Sequence, residues 1–229
     1  MNGNALIFGV GGGISASVAR LFSSEGYKIG LVARDAGKLA ALASDTDART
    51  YAGDVTSEAD VAKIFATFES EVGAPDIVVY NPSARTRGPI VELDPAEVRH
   101  SLDVTAFGAF LVGQAAARSM LPIKSGTIIF TGASAGVKGY PQSAPFAMGK
   151  FALRGLAQSM ARELHPQGIH ICHAVIDGGV RSAARQEDPA KPDSMLDPDA
   201  IAQSYLQLAR QPRSTWSWEL EIRPWVECF

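Results

Sequence analysis

Cysteine is nearly absent from this chain, which carries only Cys172 and Cys228. Two thiols build no disulfide framework, and neither stands at metal-ligand spacing from a partner. Histidine is sparse as well. His100, His165, His170 and His173 show no metal-like pattern and read as structural groups, so no metal site is expected. Charge of one sign is lacking: the net charge is −3, which excludes an electrostatic nucleic-acid binder. Residues 1–30 lack the basic start and long apolar run of a signal peptide, and no apolar stretch reads as a bilayer span. A reducing cytoplasm is the expected setting. No internal repeat or domain boundary is visible. What is abundant is apolar residue, 46% of 229, enough for one domain with a large core.

Against that background, one stretch stands out. Ala5-Leu6-Ile7-Phe8 is a short apolar strand that runs into Gly9-Val10-Gly11-Gly12-Gly13. A helix follows from about Ile14, with Val18, Leu21 and Phe22 on the same face. A glycine turn between strand and helix leaves backbone N–H groups uncovered at a helix N-terminus. Those donors and the helix dipole favour a phosphate. The spacing G-x-G-x-x-G is broken, because Ile14 stands at its third glycine, whereas Gly9 and Gly13 keep the alternative spacing with three residues between.

The rest of the chain alternates in the same way. Lys28 to Ala33 reads as a second strand, and Asp35 as the cap of a helix running through Leu42. A third strand precedes Asp54-Val55. Thr56 or Ser57 caps a helix whose Val61, Ile64, Phe65 and Phe68 form one stripe. Ile77-Val78-Val79 is a buried strand. Asp94-Pro95-Ala96-Glu97 opens a long helix that reaches to about Met120. Thr127 to Thr131 is a fifth strand, a helix opens at Pro145, and Ile169 to Ile176 is a sixth strand. Residues 178–199, rich in proline and charge, read as a mobile loop over the substrate. Trp216, Trp218, Leu220 and Ile222 alternate with polar residues like a strand with one wet face. The expected fold is α/β: a doubly wound, Rossmann-like parallel sheet in three layers, as a single domain. Ligands in such sheets lie beyond the carboxyl ends of the strands. That rule gathers residues 9–13, Arg34, Asp54, Asn81, Ala133 and Gly178 around one crevice.

These segments, in this order, resemble the short-chain dehydrogenase/reductase family over nearly the whole chain. Phe8-Gly9-Val10-Gly11-Gly12-Gly13-Ile14-Ser15 resembles its T-G-x-x-x-G-x-G loop, with Phe8 for threonine and Ser15 for the last glycine. Asp54-Val55 resembles its adenine-binding pair, and Tyr80-Asn81-Pro82-Ser83 stands where it has N-N-A-G. Asp177-Gly178-Gly179-Val180 stands where it has P-G and a turn. The resemblance implies that Gly9, Gly11, Gly12, Gly13, Ile14, Arg34, Asp54, Val55, Asn81, Lys150, Gly178 and Val180 bind a nicotinamide dinucleotide. Arginine at position 34 suits a ribose 2′-phosphate, so NADP(H) is favoured and NAD(H) stays open.

The catalytic pattern departs from the family. Its Tyr-x-x-x-Lys pair is here Phe146-Ala147-Met148-Gly149-Lys150. The serine position is Ala133, with Ser134 beside it, and the helix asparagine maps to Thr105. Only Lys150 matches. Reduction of a carbonyl leaves charge on its oxygen, which needs a proton, and phenylalanine has none to give. Loss of a general acid slows such a step by about 10²–10⁴. Tyr140, Ser143, Ser134 and Lys150 are candidate substitutes. Arg85, Arg87, Arg181 and Arg185 fall near the crevice mouth, as solvated charges or as contacts for an anionic substrate. Three functions remain open: an NADP(H)-dependent oxidoreductase of small carbonyl or alcohol compounds, a cofactor-binding protein without turnover, and a lyase or isomerase. The resemblance also implies a homodimer or homotetramer.

Overall fold

The computed structural model describes residues 3–227, so Cys228 lies outside it. Seven parallel strands form one sheet in the order β3-β2-β1-β4-β5-β6-β7. They are β1 Asn4–Phe8, β2 Lys28–Ala33, β3 Arg49–Ala52, β4 Ile77–Tyr80, β5 Thr127–Thr131, β6 His170–Ile176 and β7 Glu219–Ile222. The order reverses between β1 and β4, which leaves a gap above their carboxyl ends. This is the switch point at which doubly wound sheets hold ligands.

Alternation along the strands decides what each face covers. Leu6, Phe8, Val78, Tyr80, Ile128 and Phe130 point to one side, where they meet α3 (Glu58–Glu71), α5 (Gly108–Met120) and α6 (Ala144–Leu164). Ala5, Ile7, Ile77, Val79 and Ile129 point to the other, against α1 (Ile14–Ser24), α2 (Ala40–Thr46) and α7 (Pro198–Ala209). The result is the three-layer, Rossmann-like fold expected from the alternation of elements.

Several local expectations are sharpened. Ser57, not Thr56, caps α3 by accepting from the Asp60 amide. Asp35 accepts from Gly37 and opens a 3₁₀ turn, with α2 starting only at Ala40. The long helix after Asp94 is interrupted. Its first part, α4 (Pro95–Leu102), and α5 are joined by a π-helical turn, Asp103–Phe107. A wide turn misaligns a carbonyl from its usual donor. Here the Tyr80 hydroxyl donates to the carbonyl of Val104. Gly149 of α6 lies so close that a Cβ there would sit 2.9 Å from Thr105 Cβ.

Three expectations need correction. The helical run Pro95–Ile123 is, by length and composition, apolar enough to cross a membrane. Its apolar character is spread through alanines and glycines rather than packed into one run, and half of its apolar 18-residue window is buried in the protein's own core. Residues 198–199 belong not to the loop but to α7, capped by Asp197 with Pro198 at its first position. Ile201, Tyr205 and Leu208 bury one face of that helix. The last strand starts at Glu219, not at Trp216. Trp216 instead stacks on His170, with centroids 4.7 Å apart, and gives its indole N–H to the Gln211 carbonyl.

Candidate active site

The glycine turn sits at the switch point. Gly9 adopts φ +76°, and a Cβ there would lie 2.6 Å from the Pro82 nitrogen, so only glycine fits. Asn81 ties the turn down: its amide donates to Ser15 Oγ at 2.8 Å, and that hydroxyl donates to the Gly9 carbonyl at 3.1 Å. Gly13 ends the turn as the N-cap of α1, with no side-chain cap. A Cβ at Gly11, Gly12 or Gly13 would meet nothing within 4 Å. The turn therefore faces open space at the start of a helix, as an anion cradle does.

Three adjoining cavities meet at Asn81. The first, about 700 Å³, opens over β2 and β3 and is lined by Arg34, Lys38, Asp54, Val55 and His100. Asp54 is tied into its own turn, accepting from the Thr56 amide at 2.9 Å and hydroxyl at 2.8 Å. Those bonds hold its carboxyl below the usual carboxylate range. The second cavity, about 680 Å³, opens over β5 and β6 and is lined by Ala133, Ser134, Phe146, Lys150 and Gly178. A third, about 230 Å³, runs past Gly9, Gly11, Gly13 and Ile14 to Val180 and joins the other two. Gly178 needs its φ of +147°, with Pro224 packed against it. Val180 is fixed by a bridge to Leu196, which is buried.

In the second cavity, Lys150 is 3% exposed, and its Nζ donates to the Thr131 carbonyl at 2.6 Å. Burial pulls its pKa down to about 7. Phe146 stands one turn earlier on α6, its ring centroid 5.8 Å from Lys150 Nζ. Ala133 and Ser134 both line the cavity, because the chain leaves extended geometry at Ala133 and turns at Ser134. Thr105 is fully buried behind the site, where its Oγ1 accepts from the Ala84 amide at 3.2 Å. The Ser143 hydroxyl lines the cavity, is buried, and has no hydrogen-bond partner. Arg85 lies over Phe146, 4.7 Å from the ring centroid. Arg181 turns away into ion pairs with Glu187 and Asp197.

Sequence reasoning missed His100, the seating of Arg85 on Phe146, and the presence of Glu227 at the cavity rim. No local pattern marks these, since each depends on a partner far along the chain. Among the described residues no cluster of histidine, cysteine and acidic groups could hold a metal ion.

A parallel sheet with a glycine turn at its switch point and cavities on both sides defines a doubly wound protein of the dinucleotide-binding type. Residues 3–193 match the family described as short chain dehydrogenase, and the chain belongs to that family. An uncharacterized oxidoreductase of Staphylococcus aureus is 26% identical over 226 residues, covering 96% of each chain. A short-chain dehydrogenase from Rhodopseudomonas palustris superposes with a TM-score of 0.85 at 32% identity, covering 98% of this chain and 100% of that one. A metagenomic short-chain oxidoreductase, crystallised in complex with NADP, superposes with a TM-score of 0.83 at 28% identity over 97% of both chains.

Proposed function

We propose that the protein is a cytoplasmic NADP(H)-dependent oxidoreductase of small carbonyl or alcohol compounds with an altered proton-donor set. Phe146, Ala133 and Thr105 replace the tyrosine, serine and asparagine that the family resemblance assigns to those positions. The observation that carries the reading is Lys150. An ionisable side chain buried at a cavity wall is costly to keep, and it is kept here where the family pattern has it.

The chain fits the cofactor. Open space above Gly11, Gly12 and Gly13 leaves room for a pyrophosphate, and Ile14, Asn81 and Val180 frame it. Arg34 and Lys38 put positive charge where a 2′-phosphate would lie, beside Asp54 and Val55. Gly178 and Lys150 would hold the other end, at the second cavity. Such a dinucleotide, when bound, supplies or accepts the hydride. The remaining work falls to side chains. Lys150 can hold or release a proton on Nζ near neutrality, and Ser143 and Ser134 bring hydroxyl donors to the wall. The alternative, a cofactor-binding protein without turnover, is favoured by the phenyl ring of Phe146, which has no proton to give.

Fluorescence titration with NADPH and NADH, followed by NADPH oxidation over a broad carbonyl panel, tests both. NADPH should bind more tightly. Arg34→Ala should weaken it about fivefold and leave NADH unchanged. Equal affinities in the native protein would overturn the preference. Silence over the whole panel with NADPH binding intact would select the second reading.

A homodimer or homotetramer belongs to the proposal. Phe107 and Phe110 stack on each other while 50% and 41% exposed, and Met148 and Phe151 on the adjoining helix are 50% and 45% exposed. Such a patch invites a two-fold copy of itself. Light scattering at micromolar concentration should give at least a dimer mass.

A further inference from the structure

The mouth of the second cavity gathers positive charge that the proposed function leaves unused. We infer that Arg85, Arg87 and Arg185 form an oxyanion-binding site there, and that the substrate is a carbonyl or alcohol compound bearing a carboxylate or phosphate. The substrate assignment rests on the oxidoreductase reading above.

The three arginines reach the cavity from two walls. On one wall, the segment after β4 is pinned from behind. The Ala84 amide donates to Thr105 Oγ1 at 3.2 Å, and the Thr86 hydroxyl bonds Ser101 Oγ at 3.1 Å. With Thr86 turned back toward the helix, its neighbours Arg85 and Arg87 face the cavity. On the other wall, Arg185 is fixed by paired backbone bonds with Ser182, and its guanidinium lies over Gly179, 3.8 Å from where a Cβ would stand. Phe146 forms the floor. Its ring face holds the Arg85 guanidinium, an attraction that a cation gains from the ring quadrupole.

Among the described residues, none of the three arginines has a carboxylate within ion-pair distance, whereas Arg181 nearby has two. Two acids line the same cavity. Asp177 is engaged by Lys138 and Arg223, each at 3.6 Å, and Glu227 sits at the rim. Arg85 is exposed at the mouth, and partial loss of solvent, then the charges of Arg87 and Arg185, hold it below its usual pKa. Like charges converging in a chain of net charge −3 are relieved by a bound anion. The planar fork of arginine matches carboxylate and phosphate oxygens. The cofactor's own phosphates have other places, at the glycine turn and beside Arg34. The arginines at the mouth of the second cavity are therefore left for the substrate.

Isothermal titration of the protein saturated with NADP⁺, which has no hydride to give a ketone, tests this, using matched probes: pyruvate against methyl pyruvate, and dihydroxyacetone phosphate against dihydroxyacetone. The charged member of at least one pair should bind at least about tenfold more tightly, less so at high salt. Arg85→Gln and Arg185→Gln should each remove most of that preference, and Arg185→Lys should keep part of it. Whichever pair shows it identifies the group as carboxylate or phosphate. No preference in either pair overturns the site. A preference untouched by the substitutions does so too, as does one seen only without NADP⁺, which would place the anion in the cofactor's phosphate site. NADPH binding is measured separately. If anions bind through the arginines and NADPH does not bind, the site stands and the cofactor reading falls.

Discussion

The two ends of the crevice are built from different materials. Where β1 runs into α1 the wall is largely backbone: a glycine turn, uncovered amides and a positive φ at Gly9. Around β5, β6 and α6 they are largely side chains: Lys150, Phe146, Ser143 and three arginines. A backbone site needs only a path for the chain, so most nearby substitutions leave it intact. A side-chain site changes its chemistry with one residue. A crevice built in this way can keep its backbone turn while the side chains at its other end change, with the same fold beneath both.

The sharpest way to break the contrast is at the backbone end. Gly9→Val combines a positive φ with a clash against Pro82. It should remove about 4 kcal/mol of stability in urea denaturation and abolish NADPH binding. A variant that folds and binds NADPH normally would show that the turn does not depend on glycine.

The next effect belongs to Lys150. Its pKa in the native state is about 7, below the unfolded value of about 10.4. Between these values the unfolded chain holds the proton and the native chain has released it, so stability rises with pH. From pH 7 to pH 9 the native protein should gain about 2 kcal/mol relative to Lys150→Met. The comparison with the variant removes the opposing titration of Cys172, whose thiol is pushed up by burial. Equal pH slopes in the two proteins would mean that Lys150 keeps its proton in the native state.

The smallest effect tests the tyrosine and serine that the family resemblance implies at the side-chain end. Phe146→Tyr with Ala133→Ser should reduce a reactive diketone at least about tenfold faster than either single variant, as followed by NADPH absorbance. The two groups would act on one oxygen, so their effects should couple rather than add. A native protein that turns over briskly and slows on Phe146→Tyr would instead mark Phe146, with Arg85 above it, as part of a different working site.

What could be read in the sequence was local. The glycine turn, the buried strands and the cap at Asp94 are written in consecutive residues, and the structure places each where the pattern put it; of Thr56 and Ser57, it selects Ser57. Helix α7 carried equally local signals in Asp197-Pro198 and the spacing of Ile201, Tyr205 and Leu208. They were masked by the proline-rich, charged run before them. Other features had no local sign. The seat of Arg85 on Phe146 joins residues in separate loops and helices, and the π turn depends on Tyr80 and Gly149. Trp216 to Ile222 alternates as a strand would, but Gln211 and His170 hold its first part out of the sheet.

The π turn at Asp103–Phe107 has a consequence for how the long helix is put together. One extra residue in a turn advances everything after it by about 100° around the axis. The helix is therefore two helices spliced out of phase. The stripe of α4 is aimed at α6, and that of α5 at α3 and the sheet. No single helical period spans both. Removing one residue from the turn would restore a regular helix and rotate α4 off its neighbour, swinging the seat of Thr86 on Ser101 away from the crevice. The register of that one turn thus sets where the wall bearing Arg85 and Arg87 stands.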